Sequence, residues 1–535
     1  MTFPSEISRI SRIMLGFKNR TSFYEKTAWV TIIAATLFRL LYAGTFPLVP
    51  DETNYWQWGR HLAWGYHDQA PMIGWGIRFF TTLFGQNEVA VRMPSIFAIM
   101  IASFYIAKIG FRWVGPKTGL WATALFQTVF AVNLGALLAT ADAVQALGWV
   151  AASYHVARAY EENTWKQWLL GGAWFGFGMI SKFSMLLFLP PAYLFGLLSG
   201  YHRPILKTLK PYVGVLLGLV IFSPVFIWNA SHNFNAFRHV AHLGGVSEFF
   251  SIHWKFIGDF IASQIGLMSP LVAVTGGITC WMAKQKKLWP SKWIYRYILI
   301  TSLFVIAFFL LLSVHVRIYA NWPMMGYTCL VVIMAAFLIG EQVDTTKKTS
   351  PKTKLWFWAL ATSFIYTGII LLHLYNPIAY LPARMDPTIS QTAGWVELGQ
   401  VLGKELQNTL DVDNTFLFSE QYQISSEMAF YTPGQPETVS INRWSRPNVY
   451  DYWWKDEDLI GKNAIGVAYD ENLHKGPMQE LFDRIDPPIC LPILREIPYS
   501  GGKTEIAKMF YIYRAYGFKG GLRWVPPAND IRASS

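Results

Sequence analysis

Residues 27–58 read TAWVTIIAATLFRLLYAGTFPLVPDETNYWQW, an apolar stretch that ends at a proline and an acidic pair. The apolar part, 27–49, is long enough to cross a bilayer as a helix, because a span needs about 20 residues. The basic segment 1–26 precedes it without a small-residue cleavage motif, which indicates a retained membrane helix and not a signal peptide. Asp51 and Glu52 therefore lie just beyond the end of a predicted membrane span.

The rest of the chain has the same apolar character. Of its 535 residues, 53% are hydrophobic and only 15% are charged, which excludes a disordered protein and a small disulfide-rich protein. We therefore predict a polytopic α-helical membrane protein. About eleven stretches are long enough to span a membrane, namely 27–49, 89–107, 118–138, 141–157, 166–181, 183–200, 211–229, 256–283, 295–314, 322–340 and 355–375.

Positive charge is distributed unevenly along the chain. Residues 1–375 hold 30 Lys/Arg and 13 Asp/Glu, whereas residues 376–535 hold 15 and 20, so the net charge of +12 does not indicate a nucleic-acid partner. With the N-terminus in the cytoplasm, the predicted inside segments hold 22 Lys/Arg and the outside segments 7, as the positive-inside rule requires. An odd number of spans then puts residues 376–535 on the outer side of the membrane.

Residues 376–535 alternate between helical and strand-like patterns that are separated by Pro and Gly. Residues 394–407 have helical spacing, and 415–418, 464–468 and 509–513 are typical of strands. We predict a small α/β domain on the outer membrane face. The predicted domains are a cytoplasmic N-terminus, a membrane domain whose first outer loop carries interfacial helices, and the outer domain, with the bounds 1–26, 27–375 (loop 51–88) and 376–535.

Seven of the acidic residues before position 376 fall on the predicted outer side. Charge beside a bilayer is costly and tends to serve function, so we expect any chemistry on that side. Asp51 has two interpretations, a helix N-cap or a functional carboxylate. The residues after it place Tyr55, Trp58 and Leu62 on one face, which predicts an amphipathic helix in the membrane interface. The seven acidic residues that fall on the predicted outer side are Asp51, Glu52, Asp68, Glu88, Asp142, Glu248 and Asp259.

Three further polar residues interrupt apolar sequence. Asp142 follows Thr140, which can cap the next helix, so Asp142 either favours the helix dipole or takes part in chemistry. Lys182 either extends to the outer interface or meets a phosphate. Arg39 lies in the middle of the first predicted span, where we expect it to pair internally or to face a wet cavity.

Several short motifs occur in an order that resembles one family. They are DETNYW (51–56), YHDQAP (66–71), EVAVRMPS (88–95), TADA (140–143), SK (181–182), PVFIWN (224–229), ANWP (320–323), GW (394–395) and RPNVYD (446–451). Over roughly residues 30–520 the chain resembles bacterial membrane glycosyltransferases with the GT-C fold. The group concerned is related to the protein O-mannosyltransferases and the lipid A aminoarabinose transferase. The resemblance implies a GT-C membrane domain of about eleven transmembrane helices, followed by a small α/β domain.

The resemblance also implies an activity. Such enzymes take a sugar from a polyprenyl-phosphate carrier, in bacteria usually undecaprenyl phosphate, and transfer it on the outer face to a glycan, lipid or protein acceptor. Asp51 matches the family's first-loop aspartate and would be the base on the acceptor hydroxyl in an inverting reaction, and Asp142 matches a second acidic motif. Outer-side cations would hold the phosphate, with Lys182, Arg238 and Arg317 as candidates. The residues that would shape the loop or bind the acceptor are Glu52, Tyr55, Tyr66, His67, Asp68, Gln69 and Pro71.

One departure from the family concerns the donor. Aminoarabinose transferases carry Glu-Lys-Pro-Pro where this chain has Asp68-Gln69-Ala70-Pro71, so that Gln69 replaces a lysine. This departure argues against aminoarabinose as the sugar and lipid A as the acceptor. It also makes Lys182 and the arginines the candidates for binding the donor phosphate, in place of a lysine at position 69. Some relatives bind a divalent ion near this loop, and Asp51, His67 and Asp68 would be its ligands here.

Two alternatives to an active enzyme stay open. A transporter of lipid carriers or polysaccharides would account for the spans and for Arg39 and Lys182. Transporters usually place polar sites near the midplane between two related halves, and the sequence shows no repeat. The second alternative is a catalytically inactive relative that acts as a scaffold. The presence of Asp51, Asp142 and Lys182 argues against it.

Overall fold

The computed structural model describes residues 4–246, 249–285, 293–339, 351–383, 385–409 and 411–523. Of the acidic residues named above, Glu248 lies outside this part of the chain. The helices in chain order are α1 (Pro4–Tyr42), α2 (Pro50–Arg60), α3 (Met72–Phe84), α4 (Glu88–Trp113), α5 (Pro116–Thr128), α6 (Phe130–Leu137), α7 (Ala141–Glu162), α8 (Trp165–Met179), α9 (Leu189–Leu198), α10 (Lys210–Ser231), α11 (Asn235–Leu243), α12 (Trp254–Met268), α13 (Pro270–Gln285), α14 (Trp293–Leu312), α15 (Met324–Thr328), α16 (Leu330–Ile339), α17 (Pro351–Tyr375), α18 (Trp395–Gln407) and α19 (Tyr422–Tyr431).

The chain forms two compact units that alternate along the sequence. We call the first the helical unit; it comprises residues 1–42, 69–73 and 92–370. We call the second the mixed unit; it comprises residues 43–68, 74–91 and 371–535. Most of the first outer loop thus folds together with the C-terminal residues, and the predicted division of the chain at residue 376 stays a prediction.

The predicted apolar stretches coincide with helices or helix pairs. Within the described residues, four helices, α4, α10, α14 and α17, are long and apolar enough to cross a membrane. Two bent pairs, α5–α6 and α12–α13, bring the number to six if each pair is one span. The prediction of a mainly helical membrane protein agrees with this pattern, and the number of eleven spans stays a prediction.

The predicted span over 256–283 is bent, because α12 and α13 meet at an angle of 104°. Pro270 begins α13 and has no N–H to continue the hydrogen bonding of α12. Ser269, between the helices, has a positive φ of 67°. A proline also disfavours the helical conformation of the residue before it, so the chain turns sharply at this position.

At the break between α5 and α6, the side chain of Asn133 forms hydrogen bonds with backbone carbonyl groups. Asn133 Nδ2 donates to the carbonyls of Gln127 (2.8 Å) and Val129 (3.1 Å). The Asn133 Oδ1 atom in turn accepts from Arg39 Nε (3.2 Å) and Nη2 (3.0 Å). Arg39 therefore pairs internally, as one of its two interpretations predicted, and the pairing stabilises a broken helix.

Close helix packing in the helical unit depends on glycine. A Cβ atom on Gly172 of α8 would lie 1.9 Å from the carbonyl oxygen of Gly214 in α10. A Cβ on Gly148 of α7 would lie 2.7 Å from the Cα of Gly178 in α8. Small residues let the backbones of membrane helices approach each other in this way.

The mixed unit contains one six-stranded sheet in the order β2-β1-β3-β6-β4, with β5 paired to β6. β1 is parallel to β2 and β3, whereas β6 is antiparallel to β3, β4 and β5. The predicted helix 394–407 and strands 415–418, 464–468 and 509–513 correspond to α18, β1, β3 and part of β6. The strands are β1 (Thr415–Ser419), β2 (Thr438–Ser440), β3 (Asn463–Ala468), β4 (Phe482–Ile485), β5 (Ile489–Glu496) and β6 (Thr504–Phe518).

Side chains of this sheet alternate between two apolar cores, as successive strand residues point to opposite faces. Phe416 and Phe418 of β1 belong to one core, together with Phe482 of β4. Leu417 between them belongs to the other core, with residues of α18 and α19 such as Met428. The two helices therefore cover one face of the sheet, and α19 also lies next to the loop helix α2 in the same unit.

Candidate functional site

Helix α2 begins at Pro50 and places Asp51 in its first turn. Its N-cap is Val49, whose backbone N–H donates to Glu52 Oε2 at 3.0 Å. The N-cap interpretation of Asp51 is therefore wrong, because Glu52, which is fully buried, has that role. The Asp51 carboxylate is left for other contacts.

Helix α2 is buried in the mixed unit, and its place in the membrane interface stays a prediction. All residues from Glu52 to Gly59, including Tyr55 and Trp58, are buried. Gln57 Nε2 donates to Thr438 Oγ1 (3.3 Å) and to the Tyr450 hydroxyl (3.2 Å) of the C-terminal residues. The helix is therefore a core element of the mixed unit.

Tyr66 closes the loop after α2. Its ring stacks on Trp58 with the ring centres 4.3 Å apart, and its hydroxyl donates to the carbonyl of Trp58 at 2.8 Å. His67 follows and lies with Nδ1 3.3 Å from the Tyr452 hydroxyl. Tyr66 and His67 thus shape the loop.

Asp51 lies near a second carboxylate and a guanidinium. Arg446 Nη1 donates to Asp68 Oδ1 at 3.2 Å, and Arg446 Nη2 donates to the Tyr422 hydroxyl at 3.2 Å. Asp51 is exposed to solvent, although nearby protein atoms partly bury its carboxyl group. This burial raises the pKa of the Asp51 carboxyl, the charges of Asp68 and Glu52 raise it further, and Arg446 lowers it. A carboxyl with a raised pKa is suited to accept a proton near neutral pH.

Asp142 and Lys182 form the second polar group, in the helical unit. Lys182 Nζ lies 2.7 Å from Asp142 Oδ1, and Asn321 Nδ2 donates to Asp142 Oδ2 at 2.9 Å. Both charged side chains are largely buried, with 14% and 10% exposed. Thr140 caps α7 by accepting from the Ala143 N–H at 3.4 Å, as predicted. Asp142 thus orients the ammonium group of Lys182.

Gln69 and Pro71 belong to the short segment of the loop that folds with the helical unit. Pro71 is buried and Gln69 is partly buried. The next residue, Met72, donates its N–H to the carbonyl of Ile180 at 3.1 Å. This bond fixes the segment beside the residues that lead to Lys182.

Arg238 and Arg317 are both exposed. Arg238 lies on α11, and Arg317 lies between α14 and α15. In the part of the chain that the structure describes, neither forms an ion pair with Asp142. Of the three cations predicted to bind phosphate, Lys182 alone is positioned by a carboxylate among the described residues.

The predicted divalent-metal site stays a prediction. Of its three predicted ligands, His67 and Asp68 offer ligand atoms within 4.8 Å of each other. Asp68 Oδ1 also forms an ion pair with Arg446. His67 lies against the Tyr452 hydroxyl. We therefore derive no step through a metal ion.

Three residues of these groups were not predicted as site residues. Arg446 and Asn321 occur within motifs that resemble the family, but nothing in their local sequence assigns them to a carboxylate. Tyr422 begins a helix and has no local signal at all. Arg446 and Asn321 contact carboxylates that lie 378 and 179 positions away in the sequence, and Tyr422 contacts Arg446. Only the folded chain reveals these contacts.

Parts of the sequence are similar to known proteins. Residues 68–228 match the family model of dolichyl-phosphate-mannose-protein mannosyltransferases. The lipid A galacturonosyltransferase RgtD of Rhizobium johnstonii is 24% identical over 297 residues. This match covers 54% of this chain and 60% of RgtD, so the chain spans less than two thirds of the relative's length.

Solved structures match over nearly the whole chain. ArnT from Cupriavidus metallidurans bound to undecaprenyl phosphate superposes with a TM-score of 0.60 at 13% identity, over 90% of this chain and 97% of ArnT. The apo form of ArnT gives a TM-score of 0.61 at 13% identity, over 91% and 98%. The predicted GT-C fold with a small C-terminal sheet domain is thereby confirmed. The chain thus has the fold of ArnT, and parts of its sequence are similar to RgtD and to the mannosyltransferase family model.

Proposed function

We propose that this protein transfers a sugar from a polyprenyl-phosphate donor to a membrane-associated or exported acceptor on the outer face of the inner membrane. The observation that carries the proposal is the carboxyl of Asp51. It does not cap its helix, it lies in a partly enclosed site, and its pKa is raised. These properties suit a base that removes the proton of an acceptor hydroxyl.

The proposed reaction breaks the bond between the anomeric carbon and the phosphate oxygen while the acceptor hydroxyl attacks from the opposite side. Asp51 accepts the hydroxyl proton, and the configuration of the sugar is inverted. The lipid phosphate leaves as an anion, so it needs electrostatic stabilisation and no protonation. Lys182, oriented by Asp142 and Asn321, is the proposed cation for that phosphate.

Relatives narrow the substrate classes to test first. RgtD is named for galacturonosyl transfer to lipid A, and one ArnT structure contains undecaprenyl phosphate. We propose undecaprenyl phosphate as the carrier and a membrane glycolipid as the acceptor. The proposed orientation has the N-terminus in the cytoplasm and the C-terminal residues in the periplasm, because Lys and Arg concentrate in the predicted inside segments.

The decisive experiment measures release of polyprenyl phosphate from a polyprenyl-phosphate sugar by the purified protein. We expect Asp51→Asn to lower the rate by about 100- to 10,000-fold, since a positioned base contributes that much. Asp413→Asn, an exposed acid of the same unit, is the matched control and should leave the rate unchanged. Wild-type rates in the Asp51 variant would refute its role as base, and absence of any transfer by the wild type with all donors would favour the transporter alternative.

A further inference from the structure

A guanidinium from the C-terminal residues lies beside the loop carboxylates of the mixed unit. Arg446 is bonded to Asp68 and to the Tyr422 hydroxyl, and its guanidinium carbon lies 5.3 Å from the centre of the Tyr422 ring. Its charge also acts on Asp51, with which it has no ion pair among the described residues. The cation is thus held close to the proposed base without being neutralised by it.

Arg446 has hydrogen-bond donors that its bonds to Asp68 and Tyr422 do not use. A guanidinium has five N–H donors, and the two bonds to Asp68 and Tyr422 use two of them. The Arg446 side chain is 45% exposed, whereas that of Asp68 is 16% exposed. The planar fork of arginine matches the oxygens of a carboxylate or a phosphate.

The charge balance of the loop explains why such a cation is needed. The proposed donor is an anion, and Asp51, Glu52 and Asp68 together would repel it. In the described part of the chain, Arg446 is the cation whose charge reaches Asp51. A guanidinium beside these carboxylates offsets part of this repulsion of an anionic donor.

We propose that Arg446, positioned by Tyr422, binds the anionic group of the donor. This inference rests on the proposed function and names a residue outside the loop and the membrane helices as part of substrate binding. The anionic group is either the phosphate or a carboxylate on the sugar, which share the same hydrogen-bonding chemistry. A galacturonosyl group, as RgtD transfers, carries such a carboxylate.

The test compares Arg446→Gln and Arg446→Lys with a matched control in the full-length protein. Arg484 has equivalent surroundings, an ion pair to Asp486 at 3.1 Å and the Tyr516 ring at 4.2 Å, and no contact with the loop among the described residues. We expect Arg446→Gln to weaken binding of the donor lipid by about 10- to 100-fold, as loss of a charge-assisted hydrogen bond does. Arg446→Lys should recover part of the loss, and Arg484→Gln should have no effect.

Two donor lipids distinguish the two anions, with Kd measured by native mass spectrometry so that no turnover is needed. If Arg446 binds the phosphate, Arg446→Gln weakens binding of both the galacturonosyl and the galactosyl phosphopolyprenol. If it binds the sugar carboxylate, only the galacturonosyl lipid is affected.

Unchanged affinity of the Arg446→Gln protein for both lipids, at an unchanged Tm, would overturn the inference. The same holds if Arg446→Gln and Arg484→Gln differ only in Tm, because Arg446 would then be purely structural. If the wild type binds neither donor lipid nor polyprenyl phosphate itself, the proposed function fails and this inference fails with it.

Discussion

Asp51 is available for chemistry because its neighbour Glu52 caps the helix. A carboxylate that caps a helix accepts backbone hydrogen bonds, which lower its pKa. Glu52 accepts the Val49 N–H, so Asp51 keeps its oxygens, and burial together with the charge of Asp68 raises its pKa. Asp51 and Glu52 thus have different roles because they occupy successive positions in the first turn of the helix.

The raised pKa of Asp51 predicts the pH dependence of transfer. The base must be ionised, so kcat/KM should fall as the pH drops through the pKa of Asp51, at a higher pH than the ordinary aspartate value of about 3.9. Asp68→Asn removes a like charge and should move this limb to lower pH. Arg446→Gln removes the opposite charge and should move it to higher pH. Shifts in the same direction for both variants would contradict this assignment, and Asp413→Asn should cause none.

The ion pair of Asp142 and Lys182 allows stability and function to be separated. Lys182→Met should leave a largely buried carboxylate with Asn321 as its partner, and it should lower the free energy of unfolding by about 3 kcal/mol. The double variant Asp142→Asn/Lys182→Met should recover much of that stability, since no buried charge is left. Donor binding should stay weak in both proteins. Recovery of transfer by the double variant would argue against Lys182 as the phosphate cation.

Among the elements, the bent pair α5–α6 shows how a membrane helix can break without a proline. The residue between the helices, Val129, is extended, and side chains replace the lost backbone partners. Asn133 serves the carbonyls of Gln127 and Val129, and Ser363 and Thr367 of α17 donate to the carbonyl of Thr128 at 3.0 and 2.8 Å. Backbone groups in a bilayer have no water to bond with, so the bend requires these donors.

Asn133→Leu should therefore be strongly destabilising. It removes the side-chain donor to the Gln127 carbonyl and the acceptor of the buried Arg39, and we expect a loss of about 3 kcal/mol or more in the free energy of unfolding. Thr362→Val is the control, because the Thr362 hydroxyl bonds only to carbonyls of its own helix among the described residues. Thermal denaturation in detergent measures both. Equal Tm values for the two variants would show that the bend does not depend on Asn133.

At the scale of the whole molecule, each of the two units is built from three separate segments of the chain. Residues 43–68 and 74–91 fold with residues 371–535, although about 300 residues of the helical unit separate them in sequence. Leu48 donates its N–H to the Tyr431 hydroxyl at 2.6 Å, and Trp56 packs on Phe430. The helix that carries Asp51 therefore depends on the C-terminal sheet domain for its own core.

Hydrogen exchange can test this dependence. Phe418→Ala should open a cavity in the fully buried core of the sheet and cost about 3 kcal/mol or more. We expect the amides of α2 to lose protection together with those of β1 and β3, while those of α7 keep theirs. Trp149→Ala in the core of α7 is the reciprocal control. Unchanged protection of α2 in the Phe418 variant would mean that the loop is stable without the sheet.

The sequence by itself determined the features that depend on neighbouring residues. Apolar length located the helices, alternation located β1 and β3, and Thr140 was correctly assigned as a helix cap, because these signals act within a few positions. The tertiary structure alone decided which acid caps α2, that α2 is buried, and that Asn321 and Arg446 reach Asp142 and Asp68 across 179 and 378 positions. Such contacts depend on the path of the whole chain through space, and no local pattern of side chains encodes that path.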